Sequence, residues 1–274
     1  MMSPFAAART SLAALCIFAA AAASASAPVT TPVGALSAEQ IVDKCVQMRG
    51  GLEAWRKITT ITWVGHLESE RAPVSSLAFQ IQEKRPNKSR FEITEPSMHS
   101  VRVFNGVTGS KVRLGEDGRP EIKPFSSQET RFAREASGLE GPLIDYRARG
   151  SKVELDGVEA IDGHKTYRIR VALASGEPQM VWIDAETFLE ARYDRAAYDQ
   201  NGPKGMVSVR YRDYKEVEGL ALPSIFEISG AAGGKPDRMV IEKVALNPPI
   251  DDHVFDGLGV PRTGTVVVPA TAPR

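Results

Sequence analysis

The stretch Thr166-Tyr167-Arg168-Ile169-Arg170-Val171 sets an apolar side chain at every second position, with a charge or a hydroxyl between. A backbone that turns successive side chains to opposite sides is extended, so this period of two predicts a strand with one dry and one wet face. The pattern recurs on both sides of it. Ile61, Trp63 and Leu67 alternate with Thr62 and His66, and Leu77, Phe79 and Ile81 with Gln80 and Gln82. Phe91 and Ile93 alternate with Arg90, Glu92 and Thr94, Val101 and Val103 with Ser100 and Arg102, and Val207, Val209 and Tyr211 with Ser208, Arg210 and Arg212. Turn pairs lie between them: Asn105-Gly106, Asp117-Gly118, Asp156-Gly157, Asp162-Gly163, Asn201-Gly202 and Glu218-Gly219. Such pairs supply the positive φ that tight hairpins need. Strands joined this closely form an antiparallel meander, about eleven strands long, rather than a parallel sheet. The fold class is mainly β, of the α+β kind.

Helices are few. Ser37 and Gln40 make a capping box, after which Ile41, Cys45 and Met48 recur at helical spacing until Gly50-Gly51. Leu52 to Ile58 is a helical stub carrying Trp55, and Ser126 to Ser137 reads as a short helix that interrupts the meander. About ten alternating strands expose one continuous apolar face, which has to be buried or used. With so little helix to cover it, the meander must curl, either closing as a barrel or staying open around a plug.

The N-terminus carries an export pattern. Arg9 is the only charge before Glu39, the apolar run Leu12 to Ala23 follows it, and Ser24, Ala25, Ser26 and Ala27 then offer small residues for cleavage after Ala25 or Ala27. A spanning helix needs about 20 apolar residues, which disfavours a membrane anchor. Leu15 before Cys16 disfavours lipidation at that cysteine. The expected organisation is a signal peptide at 1–27, a linker at 28–36, one domain at 37–260 and a disordered tail at 261–274, in a periplasmic protein. The chain has 34 basic and 34 acidic residues. Losing Arg9 leaves a near-neutral domain, which argues against nucleic acid or an anionic membrane held by bulk charge. Cys45 is then the one remaining cysteine, so no internal disulfide is possible, and its place on a helix's apolar face suggests a buried, inert thiol.

Catalytic patterns are not in evidence. The sequence lacks H-E-x-x-H, G-x-S-x-G, a phosphate loop and cysteine metal spacing, and His66, His99, His164 and His253 are scattered. Asp251-Asp252-His253 reads as a surface turn rather than a metal site, and Glu68 and Glu70 as solvated. Lys84, Arg85, Lys88 and Arg90 form a basic cluster, either a solvated loop or a rim for an anionic head group. No catalytic residue, metal or cofactor is expected.

Gly51-Leu52-Glu53-Ala54-Trp55 through Ile58 and Ile61 is similar to the helix-to-first-strand passage of LolA-like outer-membrane lipoprotein-sorting proteins. Trp182-Ile183-Asp184 with Thr187-Phe188-Leu189 resembles that family's strand–turn–strand element. Asp213-Tyr214 with Val217-Glu218-Gly219-Leu220 and Leu222-Pro223 is similar to its late hairpin, and Asn247-Pro248-Pro249-Ile250-Asp251-Asp252 through Phe255 to its closing stretch. The resemblance implies a half-barrel of about eleven antiparallel strands with helices as a lid, enclosing a hydrophobic cavity for acyl chains. The expected function is a monomeric, non-enzymatic carrier of a lipid or lipidated protein. The strand residues expected in the cavity wall are Trp63, Phe79, Ile81, Phe91, Ile93 and Val103, and the lid-like segment adds Phe132, Leu143 and Tyr146. The alternative is a sensor or scaffold that uses the same fold to bind a protein partner in the envelope.

Overall fold

The structure, a computed structural model, describes residues 36–256 apart from 73, 95–98, 115–118, 136–137, 175–177, 200–201 and 231–233. The expected signal peptide, most of the linker and the C-terminal tail lie outside the described residues. Those described belong to the compact unit that begins at Leu36, and no helix among them is long and apolar enough to cross a membrane.

The chain opens with helix α1 (Ala38–Met48) and the stub α2 (Leu52–Arg56). Ser37 Oγ accepts from the Gln40 amide and Gln40 Oε1 from the Ser37 amide, the expected capping box. Ile41, Val42 and Cys45 are completely buried. Gly50 ends α1 at φ 107°, and a Cβ there would lie 2.5 Å from the Gly219 carbonyl oxygen, so glycine is required on two counts.

Six strands follow: β1 (Thr60–Glu68), β2 (Leu77–Lys84), β3 (Lys88–Thr94), β4 (His99–Phe104), β5 (Gly109–Leu114) and β6 (Pro120–Pro124). Helix α3 (Ser127–Glu135) and a 3₁₀ turn at Gly138–Glu140 lead into a crossing segment. The chain then resumes as β7 (Lys152–Ile161), β8 (His164–Ala172), β9 (Pro178–Asp184), β10 (Glu190–Asp199), β11 (Gly202–Val217), β12 (Leu220–Ser229) and β13 (Asp237–Leu246). All pair antiparallel in one sheet of order 6-5-4-3-2-1-13-12-11-10-9-8-7. The sheet does not close, since β6 and β7 remain its edges. Two meanders therefore meet at the β1–β13 seam, and the segment after β6 carries the chain from one edge to the other.

Thirteen strands form where about eleven were expected, and the local differences have physical reasons. β6 is exposed along its whole length, so it lacks the alternation that marks a strand. Asp156-Gly157, read as a turn, lies inside β7 as a bulge, where the register jumps from Leu155 opposite Ile169 to Gly157 opposite Arg168. The Asp156 carboxylate takes hydrogen bonds from Arg168 (2.6 Å) and Arg170 (3.2 Å). Asp162-Gly163 and Glu218-Gly219 do turn, each with two successive positive φ values. Asp117-Gly118 and Asn201 are outside the described residues.

The inner face of the sheet is packed by two clusters. Under α1, Ile41, Val42 and Cys45 meet Val153, Ile169, Val171, Val181 and Ile183, with Leu143 of the crossing segment. Under α2, Trp55 and Ile58 meet Ile61, Trp63, Phe79, Leu220 and Leu222, with Leu139 and Ile144. A third cluster pairs Val101, Val103 and Val112 with Ile250 and Phe255 of the chain beyond β13.

The seam tolerates no side chain at Gly65. A bulge falls between Val64 and Gly65, and a Cβ on Gly65 would lie 1.9 Å from the Val240 carbonyl oxygen. Gly65→Ala is expected to cost about 3 kcal/mol or more through backbone displacement. Gly163→Ala meets no atom within 4 Å and costs only left-handed strain of about 1 kcal/mol. Urea denaturation of the two variants should rank them in that order; equal losses would disprove the seam constraint.

Candidate functional site

Between the inner face and its cover lies a cavity of about 230 Å³. Aliphatic cavities of about 150 Å³ already admit benzene-sized ligands. Its wall comes from β1 (Trp63), β2 (Ile81, Glu83), β12 (Pro223, Phe226), β13 (Met239, Ile241) and β11 (Tyr211). Arg49 of α1, Glu190 of β10 and the cover residues Leu139, Glu140 and Gly141 complete it. Phe226 fixes the aromatic part, meeting Trp63 edge-on at 6.2 Å and Tyr211 at 5.6 Å between ring centroids.

A buried ion pair stands at one side. Arg49 Nη1 donates to both Glu190 oxygens at 2.8 and 2.7 Å, and its Nε donates to the Ala221 carbonyl at 2.8 Å. Tyr214 Oη donates to the Glu190 carbonyl oxygen at 3.0 Å and lies 3.2 Å from Glu190 Oε2. Trp55 Nε1 donates to the Arg49 carbonyl, and the guanidinium sits 5.0 Å from the Trp55 ring centroid. Burial opposes the Arg49 charge, but Glu190 outweighs it and holds Arg49 protonated. Burial, with Glu190 beside it, pushes the Tyr214 phenol up, and burial does the same to the Cys45 thiol, which is therefore protonated and inert. The ion pair ties the C-terminus of α1 to the sheet at a residue separation of 141.

The cover is tied down by arginines. At the end of β2, Arg85 Nε donates to the Ile58 carbonyl (2.7 Å), Nη2 to the Trp55 carbonyl (3.1 Å) and Nη1 to Glu140 Oε1 (3.0 Å). Arg149 Nη1 donates to the same Glu140 oxygen at 3.2 Å, and its Nη2 to the Gly141 and Pro142 carbonyls at 2.9 Å each. Arg56 with Asp145, and Arg147 with Asp43, bridge the outer side of the crossing segment to α2 and α1.

Of the residues expected in the wall, Trp63 and Ile81 line this cavity. Phe79, Phe91 and Ile93 belong to the same inner-face cluster, with Phe79 and Phe91 6.1 Å apart between ring centroids. Leu143 and Tyr146 are buried under α1, in the neighbouring cluster. Phe132 belongs to neither and lies under the Arg195 guanidinium, 4.4 Å from its ring centroid. Val103 is on the opposite face of the sheet: it pairs with Arg90, whereas Phe91 pairs with Arg102, and directly opposed residues share a face. The expected basic cluster is already engaged. Lys84 and Lys88 both meet Asp252, which they draw down to about 2, while Arg85 takes Glu140 and Arg90 takes Glu92. Asp251 accepts from the His253 amide, and His253 Nδ1 lies 2.9 Å from Asp256.

Glu83, Glu140, Glu190 and Arg49 escape the sequence reading. Only Glu83 carries a signal, since it stands in phase with Phe79 and Ile81 on the inward side of β2.

No protein-family profile matches the sequence, and no curated protein matches it. Solved structures do. A DUF1329 family protein from Desulfovibrio piger superposes with TM-score 0.50 at 13% identity, over 80% of this chain and 96% of its own. A putative outer membrane lipoprotein-sorting protein domain from Vibrio parahaemolyticus gives 0.51 at 12% identity, over 79% and 94%. The chain shares its fold with these two structures. This LolA-like architecture, an open antiparallel sheet with helices on its inner face, is the one the sequence resemblance implies.

Enclosure raises the Glu83 carboxyl to about 7, with Glu140 adding to it and a Trp63 Nε1 donor opposing it. An acid group raised above its unfolded value destabilises the fold increasingly as pH climbs from the unfolded pKa, about 4.3, to 7. Thermal melts of Glu83→Gln and the unaltered protein from pH 5 to 8 should show the variant gaining relative stability as pH rises. A constant difference across that range would contradict the raised carboxyl.

Proposed function

We propose that the protein is an exported, periplasmic carrier that holds a lipid, or the acyl chains of a lipid-modified protein, between the inner face of the sheet and its cover. The observation that carries the reading is the cavity walled by Trp63, Ile81, Phe226, Met239 and Ile241, set against a much longer apolar inner face. Each methylene moved from water to that face contributes about 0.8 kcal/mol. The reading is non-enzymatic, with binding driven by burial. The LolA-like fold supports it, since a structure of that fold is described as a putative lipoprotein-sorting domain.

A cavity of about 230 Å³ is smaller than the roughly 300–1,000 Å³ of typical ligand pockets. Long chains therefore require the cover to move off the sheet, displacing Leu139 and Ile144 from the apolar cluster beneath. The arginine contacts to α2, Glu140 and the crossing-segment carbonyls are the polar part of what holds it. Losing a charged hydrogen bond costs about 1.5–3 kcal/mol, so Arg85→Ala should speed uptake of a fluorescent fatty-acyl probe by about tenfold or more.

Native mass spectrometry of the protein purified from its own periplasm, with lipid extraction of the same sample, tests the reading directly. A co-purifying acylated species near one-to-one is expected. Phe91→Asp, on the inner face, should keep the far-ultraviolet circular dichroism of the fold while uptake of the acyl probe falls at least tenfold. A folded protein that is clean on purification and indifferent to added lipids would reject the carrier reading and favour a protein partner.

A further inference from the structure

We infer that the cavity selects an amphiphile headed by a primary ammonium group, seated between Glu83 and Glu140; this rests on the carrier reading above. Two acidic side chains, Glu83 and Glu140, line the cavity. Glu83 continues the inward side of β2 after Phe79 and Ile81, lies opposite Ile61 in the sheet, and lines the cavity. Among the described residues it makes no ion pair, and its polar contact is a long one, Trp63 Nε1 at 3.4 Å. Glu140 faces the same cavity from the cover and is 4% exposed. Its Oε1 takes both Arg85 and Arg149, while its Oε2 is buried with no hydrogen-bond partner. A buried acceptor left without a donor costs about 1–3 kcal/mol, so the site is incomplete as it stands.

The cavity's cation is unavailable to an anionic head. Arg49 is spent on Glu190 and the Ala221 carbonyl. What remains unsatisfied is acceptor capacity beside an apolar wall, and that sets the ligand's chemistry. A primary ammonium brings three donors and a positive charge, enough to serve both Glu83 oxygens and Glu140 Oε2. A hydroxyl brings one donor and no charge. A trimethylammonium brings charge without donors, and a carboxylate head adds a third anion. The hydrocarbon part then runs along Ile81, Phe226, Met239 and Ile241.

Ammonium binding uses the ionised form of Glu83, whose carboxyl is held near 7 by enclosure and by Glu140. The other charged groups around the cavity are Arg49 and Glu190, paired with each other, and Arg85 and Arg149, committed to Glu140. Affinity for the ammonium should therefore fall about tenfold per pH unit below 7.

Isothermal titration calorimetry of the full mature chain with octylamine, octanol, octyltrimethylammonium and octanoate tests the assignment. Octylamine should bind at least tenfold more tightly than the other three at pH 7.5, and Glu83→Gln should abolish that preference while octanol binding persists. Lysophosphatidylethanolamine and lysophosphatidylcholine, which differ only in methylation of the amine, separate the sources. A preference for the former identifies a phospholipid head, and rejection of both alongside octylamine binding identifies a simple amine. Octanol binding as tightly as octylamine, or an unchanged preference in Glu83→Gln, would overturn the head-group assignment and leave the carrier reading standing. Failure of every octyl compound and both lysolipids to bind would overturn both.

Discussion

A thirteen-stranded sheet most of whose strands alternate apolar and polar side chains has one long face that must leave water, and nearly everything else in this protein follows from how that face is covered. The two meanders are long in strand and poor in helix, so α1 and α2 can shield only part of it. The chain meets the shortfall through its connectivity. By sending the segment after β6 across the inner face to begin again at the far edge, it turns an obligatory connection into a cover, with Leu139, Leu143 and Ile144 buried beneath. The third cluster, where Ile250 and Phe255 meet Val101 and Val103, serves the opposite face in the same way.

Covering by a connection rather than by a second sheet has an electrostatic consequence. Backbone carbonyls of α2 and of the crossing segment face the interior of the assembly and need donors. Arg85 and Arg149 supply them, and both also meet Glu140. The charges are thus concentrated where cover meets sheet. A buried pair such as Arg49–Glu190 contributes little net stability over an apolar substitute but is costly to break, by about 3–5 kcal/mol when one partner is removed. It therefore acts as a positional constraint, holding α1 in one place while the neighbouring cover is fastened by more exposed contacts. Glu83 and Glu140 line the same cavity and stand apart from this arrangement, since among the described residues Glu83 makes no ion pair and Glu140 Oε2 has no hydrogen-bond partner.

Much of the architecture was legible in the residues. Alternation along β1 to β4, β8 and β11 is a property of backbone geometry and survives any tertiary context. The Ser37–Gln40 capping box and the Asp162-Gly163 and Glu218-Gly219 turns are likewise local. Legibility failed where local chemistry admits two outcomes. Asp-Gly at 156–157 suits a turn or a bulge, and only pairing with β8 and the Arg168 and Arg170 side chains makes it a bulge. Val103 alternates like Phe91, yet alternation does not say which face is which; the register of β3 with β4 does.

The class of the fold, its antiparallel meander and the short helices that attend it could be read from the residues alone, because these depend on side-chain period, caps and turns spanning a few residues. Which surface encloses a cavity, and which side chains line it, depends on long-range pairing. Arg49 and Glu190 are 141 residues apart and Arg85 and Glu140 are 55 apart. No short-range pattern couples such residues, since their partnership exists only once β1 has paired with β13 and the chain has crossed the sheet. The same holds for Glu83, an ordinary strand carboxylate in the sequence. Its character comes from enclosure opposite Glu140, which only the folded chain provides.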